Sequence, residues 1–224
     1  MALAAAQDVR AGLVNPSFEY GLAPGTELDF NDASIAPSGG WFTTESDHQI
    51  EVWGSGFLGV PAFNGSNFVE LNANAVGTLF QNITGASTGQ VLDFQFAHRG
   101  RAGLDTMQLN ITDLNTGQSL FSQQYSDGNT AWGFYTGSFT LPSGVASTDS
   151  LRFAYSSISS AGGNPTVGNF LDDAGFGLSI NSPPPGGAST VVPEPVDQAV
   201  PLFLAAFGVV YFSRRPGMRG RVQG

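Results

Sequence analysis

The chain has 224 residues, 41% of them hydrophobic, which is enough for one sizeable domain with a proper core. It has no cysteine, which excludes disulfides, thiolate metal sites and cysteine nucleophiles. The net charge is −10, and all 18 carboxylates lie before residue 198, whereas four of the eight arginines lie near the C-terminal end. Such an acidic surface repels phosphate backbones, so we expect no nucleic-acid partner.

The chain begins with an alanine-rich segment, residues 1–10. Ala4-Ala5-Ala6 has the small-x-small pattern that signal peptidase accepts, but no basic residue precedes it and the apolar run is short. We expect the remnant of a signal peptide here. The alternative is a disordered start.

Residues 11–180 are predicted to form one β-sandwich domain. Apolar residues alternate with polar ones in short segments separated by glycine- and asparagine-rich turns, which is typical of half-buried strands. The segments with this pattern are 49–53, 67–71, 78–83, 92–96, 107–111, 120–125, 132–141, 151–155 and 176–180.

The turn-forming cluster Asp113-Leu-Asn-Thr-Gly117 predicts a hairpin that joins residues 105–112 to residues 119–125. No segment of the domain has a sustained helical stripe. The pattern therefore predicts an all-β fold, an antiparallel two-sheet sandwich of the jelly-roll type.

Both ends of this region resemble galactose-binding-like jelly-roll modules. The opening Leu13-Val-Asn-Pro-Ser-Phe-Glu19 is similar to their first strand, and the closing Phe170-Leu-Asp-Asp-Ala174 is similar to their last. Many carbohydrate-binding modules have this fold, although fold alone does not confer their function. The resemblance implies a domain for adhesion or polysaccharide binding.

The same resemblance implies a structural calcium ion as cofactor. In those jelly rolls calcium commonly joins the first and last strands through a glutamate of the opening motif and an aspartate of the closing motif. Carried over to this chain, the ligands are Glu19 and Asp172, with Asp173 as the second choice. Carboxylates suit calcium, which prefers hard oxygen ligands. The alternative is that Glu19 lies at a strand edge and the aspartates face solvent.

A basic cluster, His98-Arg-Gly-Arg101, stands out in the acidic domain. Arg99 and Arg101 would suit a sugar carboxylate through bidentate contacts, and Trp53 would suit a sugar ring as a stacking surface. The alternative is that the arginines pair with neighbours such as Glu70 or Asp105 and fix a loop, while Trp53 belongs to the core.

No catalytic motif is recognisable: the chain lacks a G-x-S-x-G elbow, an H-E-x-x-H helix, a P-loop and a dinucleotide fingerprint. We therefore predict that the protein is not an enzyme and assign no catalytic residue. One alternative is an extracellular glycan hydrolase that uses Glu51 and Glu70 as a carboxylate pair. Another is a purely structural surface protein.

Residues 181–221 are predicted to form a linker followed by a membrane anchor. Residues 181–191 are rich in proline, glycine and serine and form a flexible linker. Pro193-Glu194-Pro195 then precedes the apolar run 199–212, which is predicted to be one short transmembrane helix, and Arg214 and Arg215 follow. Its length, roughly 21 Å as a helix, makes it a marginal span. The arginines would remain cytoplasmic.

This order of triplet, apolar helix and arginines resembles the PEP-CTERM sorting signal over residues 192–221, with Pro216 as a departure within the basic end. In that family an exosortase recognises the tail, in Gram-negative bacteria that make exopolysaccharide. The resemblance implies an exported protein whose precursor is held in the membrane by the C-terminal helix. It would then reach the cell surface or extracellular matrix, with exopolysaccharide as a further partner.

Overall fold

The computed structural model describes residues 12–34 and 40–177. The chain divides into two units, Met1–Val192 and Pro193–Gly224, and all the described residues belong to the first. The predicted signal remnant, linker, sorting motif and C-terminal helix lie outside the described residues. Within those ranges no helix has the length and apolarity needed to cross a membrane.

The regular secondary structure of the described ranges is dominated by strands, all of which pair antiparallel. In chain order they are β1 (Glu27–Asn31), β2 (Phe42–Thr43), β3 (Gln49–Gly54), β4 (Asn67–Glu70), β5 (Thr78–Ile83), β6 (Val91–Arg99), β7 (Asp105–Asp113), β8 (Ser119–Asp127), β9 (Gly133–Thr140), β10 (Leu151–Ser159) and β11 (Phe170–Phe176). Two short 3-10 turns, Phe57–Gly59 and Ala161–Gly163, interrupt the loops.

The strands form two sheets. One has six strands in the order β1-β3-β4-β11-β6-β9, and the other has five in the order β2-β5-β10-β7-β8. This arrangement confirms the predicted antiparallel two-sheet sandwich. Strand β11, the last of the domain, pairs with β4 and β6 and therefore lies inside the six-stranded sheet.

The main core lies between the sheets and follows from alternation along the strands. In β7 the side chains of Met107, Leu109 and Ile111 are buried, whereas the residues between them are partly exposed. The predicted hairpin is confirmed, since β7 pairs with β8 and the Gly117 N–H donates to the Asp113 carbonyl at 2.8 Å. Residues two apart in a strand share a face, so each strand of this kind supplies one apolar side to the core.

A second apolar cluster lies on the other side of the six-stranded sheet, the side away from the main core. Trp53, Phe68 and Phe170 face outward there, with ring centroids 4.7 to 5.8 Å apart. The loop between β3 and β4 covers them with Val60 and Phe63, joined by Trp132 from the segment before β9. Both faces of this part of the sheet are therefore buried, which is why every residue of β11 is buried.

Two strands were missed by the sequence analysis, β1 and β2. Strand β1 is an exposed edge strand whose residues lack the buried alternation, and β2 has only two residues. The prediction of a closing strand over 176–180 is corrected in its bounds, because β11 ends at Phe176, and residues 178–180 lie outside the described ranges.

Candidate functional site

Three carboxylates form a row across the outer side of the six-stranded sheet. Asp29 of β1 is opposite Glu51 of β3, and Glu51 is opposite Glu70 of β4. Residues that are directly opposite in antiparallel strands point to the same face, with Cβ atoms roughly 5 Å apart. The strand register thus brings together acidic groups that are far apart in sequence.

Arg101 neutralises the inner end of this row. Its Nη1 lies 2.9 and 2.7 Å from the two carboxylate oxygens of Glu70, and its guanidinium carbon lies 4.8 Å from the ring centroid of Trp53. The Arg101 backbone N–H donates to Asp105 at 2.8 Å. The guanidinium of Arg101 is therefore paired with Glu70, one of the two neighbours named for it, whereas Asp105 contacts only its backbone N–H.

Burial changes the protonation of the two glutamates. Glu70 is fully buried and also accepts the Gly168 N–H at 2.6 Å, whereas Glu51 accepts the Trp53 indole N–H at 2.6 Å. Loss of solvation, with a smaller contribution from nearby carboxylates such as Glu27, raises the pKa of Glu51 to about 7, against the lowering effect of the Trp53 hydrogen bond. Burial and the charge of Glu51 raise the pKa of Glu70, against the opposing effect of Arg101.

An open cleft of about 340 Å³ lies beside this row. Its lining combines carboxylates, an amide, a hydroxyl and the arginine: Glu27, Asp29, Glu51, Ala73, Asn74, Arg101 and Thr166. Hydrogen-bond donors and acceptors thus converge on a space of the size that small-molecule sites have. The cleft suits a ligand rich in hydroxyl groups, because a hydroxyl both donates to carboxylates and accepts from an arginine or an amide.

The other predicted ligand-binding residues occupy different surroundings. Trp53 is only 1% exposed, so the expectation that it offers a stacking surface is corrected: its ring supports Arg101 and packs in the second cluster. Arg99 donates to the Asn129 backbone carbonyl and does not line the cleft. Burial also lowers the pKa of Arg99.

The residues predicted to bind calcium act on one loop. Oε1 of Glu19 accepts the backbone N–H groups of Ser66 and Asn67 at 2.7 and 3.0 Å. Oδ2 of Asp172 accepts those of Phe63 and Asn64 at 2.8 and 2.9 Å. The opening and closing motifs are thus both fastened to residues 63–67, which we call the clasp loop.

The other oxygen of Asp172 and both oxygens of Asp173 also accept hydrogen bonds. Oδ1 of Asp172 accepts the Asp173 N–H at 2.7 Å, while Asp173 accepts side-chain N–H groups of Asn64 and Gln95 at 3.0 and 2.7 Å. Burial raises the pKa of Asp172 well above its ordinary value. These carboxylate oxygens therefore point at N–H groups and not at a space for a calcium ion. The described ranges contain no group of three or more histidine or acidic side chains placed to hold a metal ion. A calcium ion here would have to compete with these N–H groups, and the calcium site stays a prediction.

Similarity to known proteins is found at the level of structure. No protein-family model matches the chain, and no curated protein matches it. A Stig cyclase, Fisc, from Fischerella sp. TAU is 12% identical with a TM-score of 0.54, covering 73% of this chain and 94% of that chain.

Two carbohydrate-binding modules are also similar in structure. TmCBM61, solved in complex with beta-1,4-galactotriose, is 16% identical with a TM-score of 0.45 and covers 73% of this chain and 95% of that one. The C-terminal family 22 module of Clostridium thermocellum Xyn10B is 16% identical with a TM-score of 0.45, covering 66% and 89%. The likeness is one of fold.

A further group of residues surrounds His98, a member of the basic cluster that was assigned no binding role. The ring is fully buried, with Nδ1 2.7 Å from Asp127 and Nε2 2.9 Å from Oδ1 of Asn169. The amide nitrogen of Asn169 donates to the Ser159 carbonyl at 3.1 Å, so its oxygen is the atom that faces the histidine. Both ring nitrogens therefore face acceptors, and this network fixes β6 against β11 rather than forming a reactive site.

Proposed function

We propose that the sandwich is a non-catalytic carbohydrate-binding domain that serves adhesion or polysaccharide binding, and that it binds glycan in the cleft beside Arg101. One observation carries the proposal: Arg101 is held in place by Glu70 and Trp53 while it lines the same open cleft as Glu51 and Asn74. A pre-ordered arginine loses little side-chain entropy when it binds, so its hydrogen bonds contribute more fully to affinity. The likeness of the opening and closing motifs to galactose-binding-like modules supports a carbohydrate as the ligand.

Affinity electrophoresis of the full chain through gels that contain neutral or acidic polysaccharides, after a glycan-array screen, tests this proposal. Asn74→Ala and Thr166→Ala remove exposed cleft groups without touching the core, and each is expected to weaken binding about fivefold, the effect of one lost hydrogen bond. Ser138→Ala, exposed on β9 at the opposite edge of the same sheet, is the matched control. A lack of binding to every glycan tested, or equal binding by the cleft and control variants, would contradict the proposal.

A glycan hydrolase remains the alternative, and one observation favours it: Glu51, with a pKa of about 7, lies opposite Glu70 on the neighbouring strand. A raised pKa suits a general acid. Against it, both oxygens of Glu70 are bound to Arg101. Release of reducing sugar that disappears in Glu51→Gln would establish the hydrolase. A purely structural protein would give neither turnover nor binding.

For the C-terminal part we propose sorting by an exosortase, with the precursor anchored in the membrane through residues 199–212 and the mature protein at the cell surface or in the matrix. The support is the order of Pro193-Glu194-Pro195, apolar run and Arg214-Arg215. Proline lacks the N–H that a helix needs, so the triplet would stay extended and accessible next to the membrane.

Expression with and without an exosortase tests the sorting proposal. Without the enzyme the precursor should stay in the membrane fraction with a mass that includes the arginines, and with the enzyme it should lose them. Replacement of Pro193, Glu194 and Pro195 by alanine should block this conversion while membrane insertion persists. Recovery of a tail-bearing mature protein from the cell surface would overturn the proposal.

A further inference from the structure

The outer face of the five-stranded sheet carries a continuous row of side chains that crosses all five strands. Phe42, Phe80, Ala154, Asn110 and Ser122 are consecutive partners in the strand register. Neighbouring strands are about 4.8 Å apart, so the row extends roughly 19 Å. The row lies on the five-stranded sheet, whereas the cleft lies on the six-stranded sheet. It is long enough for a chain of sugars rather than a single ring.

Two aromatic rings lie at one end of this row. Phe42 is 38% exposed and stacks on Phe80, with ring centroids 5.6 Å apart and an interplanar angle of 22°. The guanidinium carbon of Arg152 lies 4.0 Å from the Phe80 ring centroid, and its Nε donates to Asn82 Oδ1 at 3.0 Å. The arginine is thus held flat against the aromatic pair by a neutral partner.

The charge of this face is unlike that of the rest of the domain. None of the residues that its five strands turn outward is an aspartate or a glutamate, in a chain with 18 of them. Of the arginines in the described ranges, Arg101 is paired with Glu70, whereas Arg152 has no carboxylate within ion-pair distance among those residues. Among the described residues, the positive charge of Arg152 is therefore not paired with a carboxylate, and the outward residues of these five strands include none.

The remainder of the row is polar and ordered. Gln108 donates to Ser122 Oγ at 2.6 Å and to Asn110 Oδ1 at 3.3 Å, and Thr78 donates to Ser156 Oγ at 2.8 Å. Amides and hydroxyls of this kind can both donate and accept, as sugar hydroxyls do. The face combines aromatic rings, one free cation and a polar ladder.

We propose that this face is a second binding site, specific for an acidic polysaccharide whose sugars carry carboxylates. The apolar C–H face of a sugar ring packs on Phe42 and Phe80, while the carboxylate of that sugar makes a bidentate contact with Arg152. Asn110 and Gln108 bind hydroxyls of the sugars that follow. One arginine beside two aromatic rings offers a contact for a single carboxylate on a sugar ring. It provides no basic patch for the closely spaced phosphates of nucleic acid or for the surface of an anionic membrane.

Affinity electrophoresis of the full chain in gels with alginate or with neutral hydroxyethyl cellulose tests the site, with chelator present so that calcium does not bridge carboxylates. Alginate is expected to retard the protein, and added salt is expected to weaken the retardation because an ion pair is screened. Arg152→Gln should weaken alginate binding about tenfold or more. Arg152→Lys keeps the charge but loses the bidentate guanidinium, so its affinity for alginate should fall between those of the wild type and Arg152→Gln.

Phe42→Ala provides a second variant, expected to weaken alginate binding without altering the charge. Ser138→Ala, exposed on β9 in the six-stranded sheet and outside both proposed sites, is the control and should leave alginate binding unchanged. Melting curves confirm that every variant is folded. No alginate binding, or equal binding by wild type and Arg152→Gln, would overturn the proposal. Loss in Asn74→Ala but not in Arg152→Gln would also overturn it and assign the binding to the cleft instead.

Discussion

Glu19 and Asp172 bind the two halves of the same clasp loop, so that the first motif of the domain and its last strand are connected through residues 63–67. Each carboxylate accepts two backbone N–H groups of this loop. Gly65, between the two halves, has φ +66°, and a Cβ there would overlap the Glu19 carboxylate. Carboxylates, a glycine and backbone amides thus fasten the loop over the second apolar cluster.

Removal of the Asp172 carboxylate is expected to be strongly destabilising. In Asp172→Ala the backbone N–H groups of Phe63, Asn64 and Asp173 lose their acceptor; the Asp172 side chain is fully buried, whereas Asn64 is exposed and can be solvated. Each unsatisfied buried donor costs about 1–3 kcal/mol, so the other two donors give an expected loss of at least about 2 kcal/mol in the free energy of unfolding, measured by urea denaturation. Asp29→Ala, at an exposed edge position, is the control and should change it little. A loss below 1 kcal/mol at Asp172, on the order of a surface change, would contradict the clasp.

Calcium should not alter the melting temperature if the clasp is fully satisfied by N–H groups. A bound ion would add about 2.7 kcal/mol at a hundredfold excess over its Kd, which would raise the melting temperature by several degrees. We expect thermal denaturation in millimolar calcium and in chelator to give the same midpoint. A clear rise in calcium that Glu19→Gln removes would instead establish the ion that the galactose-binding-like resemblance implies.

Stability should fall as the pH rises through neutrality because of Glu51. Its pKa is raised from 4.5 to about 7, so between these values the native state holds a proton that the unfolded chain has released. This contribution is complete below pH 4.5 and is lost by about pH 7. We expect a decrease of about 2 kcal/mol, less than the full shift because the cleft admits water. Urea denaturation at pH 5 and pH 8 measures it, and Glu51→Gln should flatten the profile; an equal slope in that variant would assign the effect elsewhere.

The pair Arg101–Glu70 should behave as a buried ion pair in a double-mutant cycle. Arg101→Met leaves the buried Glu70 carboxylate without its cation and should cost about 3–5 kcal/mol, with a smaller loss at acidic pH, where Glu70 takes up a proton. Adding Glu70→Gln should recover most of that loss, because the uncompensated charge is gone. Chemical denaturation of the four proteins gives the coupling energy, and strict additivity would mean that the two groups do not interact.

The sequence predicted the sandwich because alternation is a local property. Met107, Leu109 and Ile111 mark a half-buried strand without reference to any other part of the chain. The pairing of Arg101 with Glu70 was also foreseen as one alternative, since an arginine in an acidic domain has carboxylates close by. Strand β1 was missed although Leu28 and Phe30 alternate with polar residues; the pattern covers only five residues, and in the structure the strand is mostly exposed.

Sites that depend on strand register were not predictable. Phe42 and Phe80 meet only because β2 pairs with β5, and Arg152 reaches Phe80 only because β10 pairs with β5. Likewise, Trp53 is buried by the loop between β3 and β4, which folds back over the sheet. The residues next to the tryptophan in sequence do not indicate that this loop will cover it. The acceptors for the clasp loop are specified by tertiary structure, not by the motifs that contain them.

The interior position of β11 has a mechanical consequence. Tension that enters the domain at Phe176 arrives inside the six-stranded sheet, where β6 pairs with β11 between Phe170 and Phe176 and β4 pairs with it at Phe170 and Leu171. These hydrogen bonds are perpendicular to the strands, so a pull along β11 loads several of them at once instead of opening them one after another. The last strand of the domain therefore resists such a pull by shear.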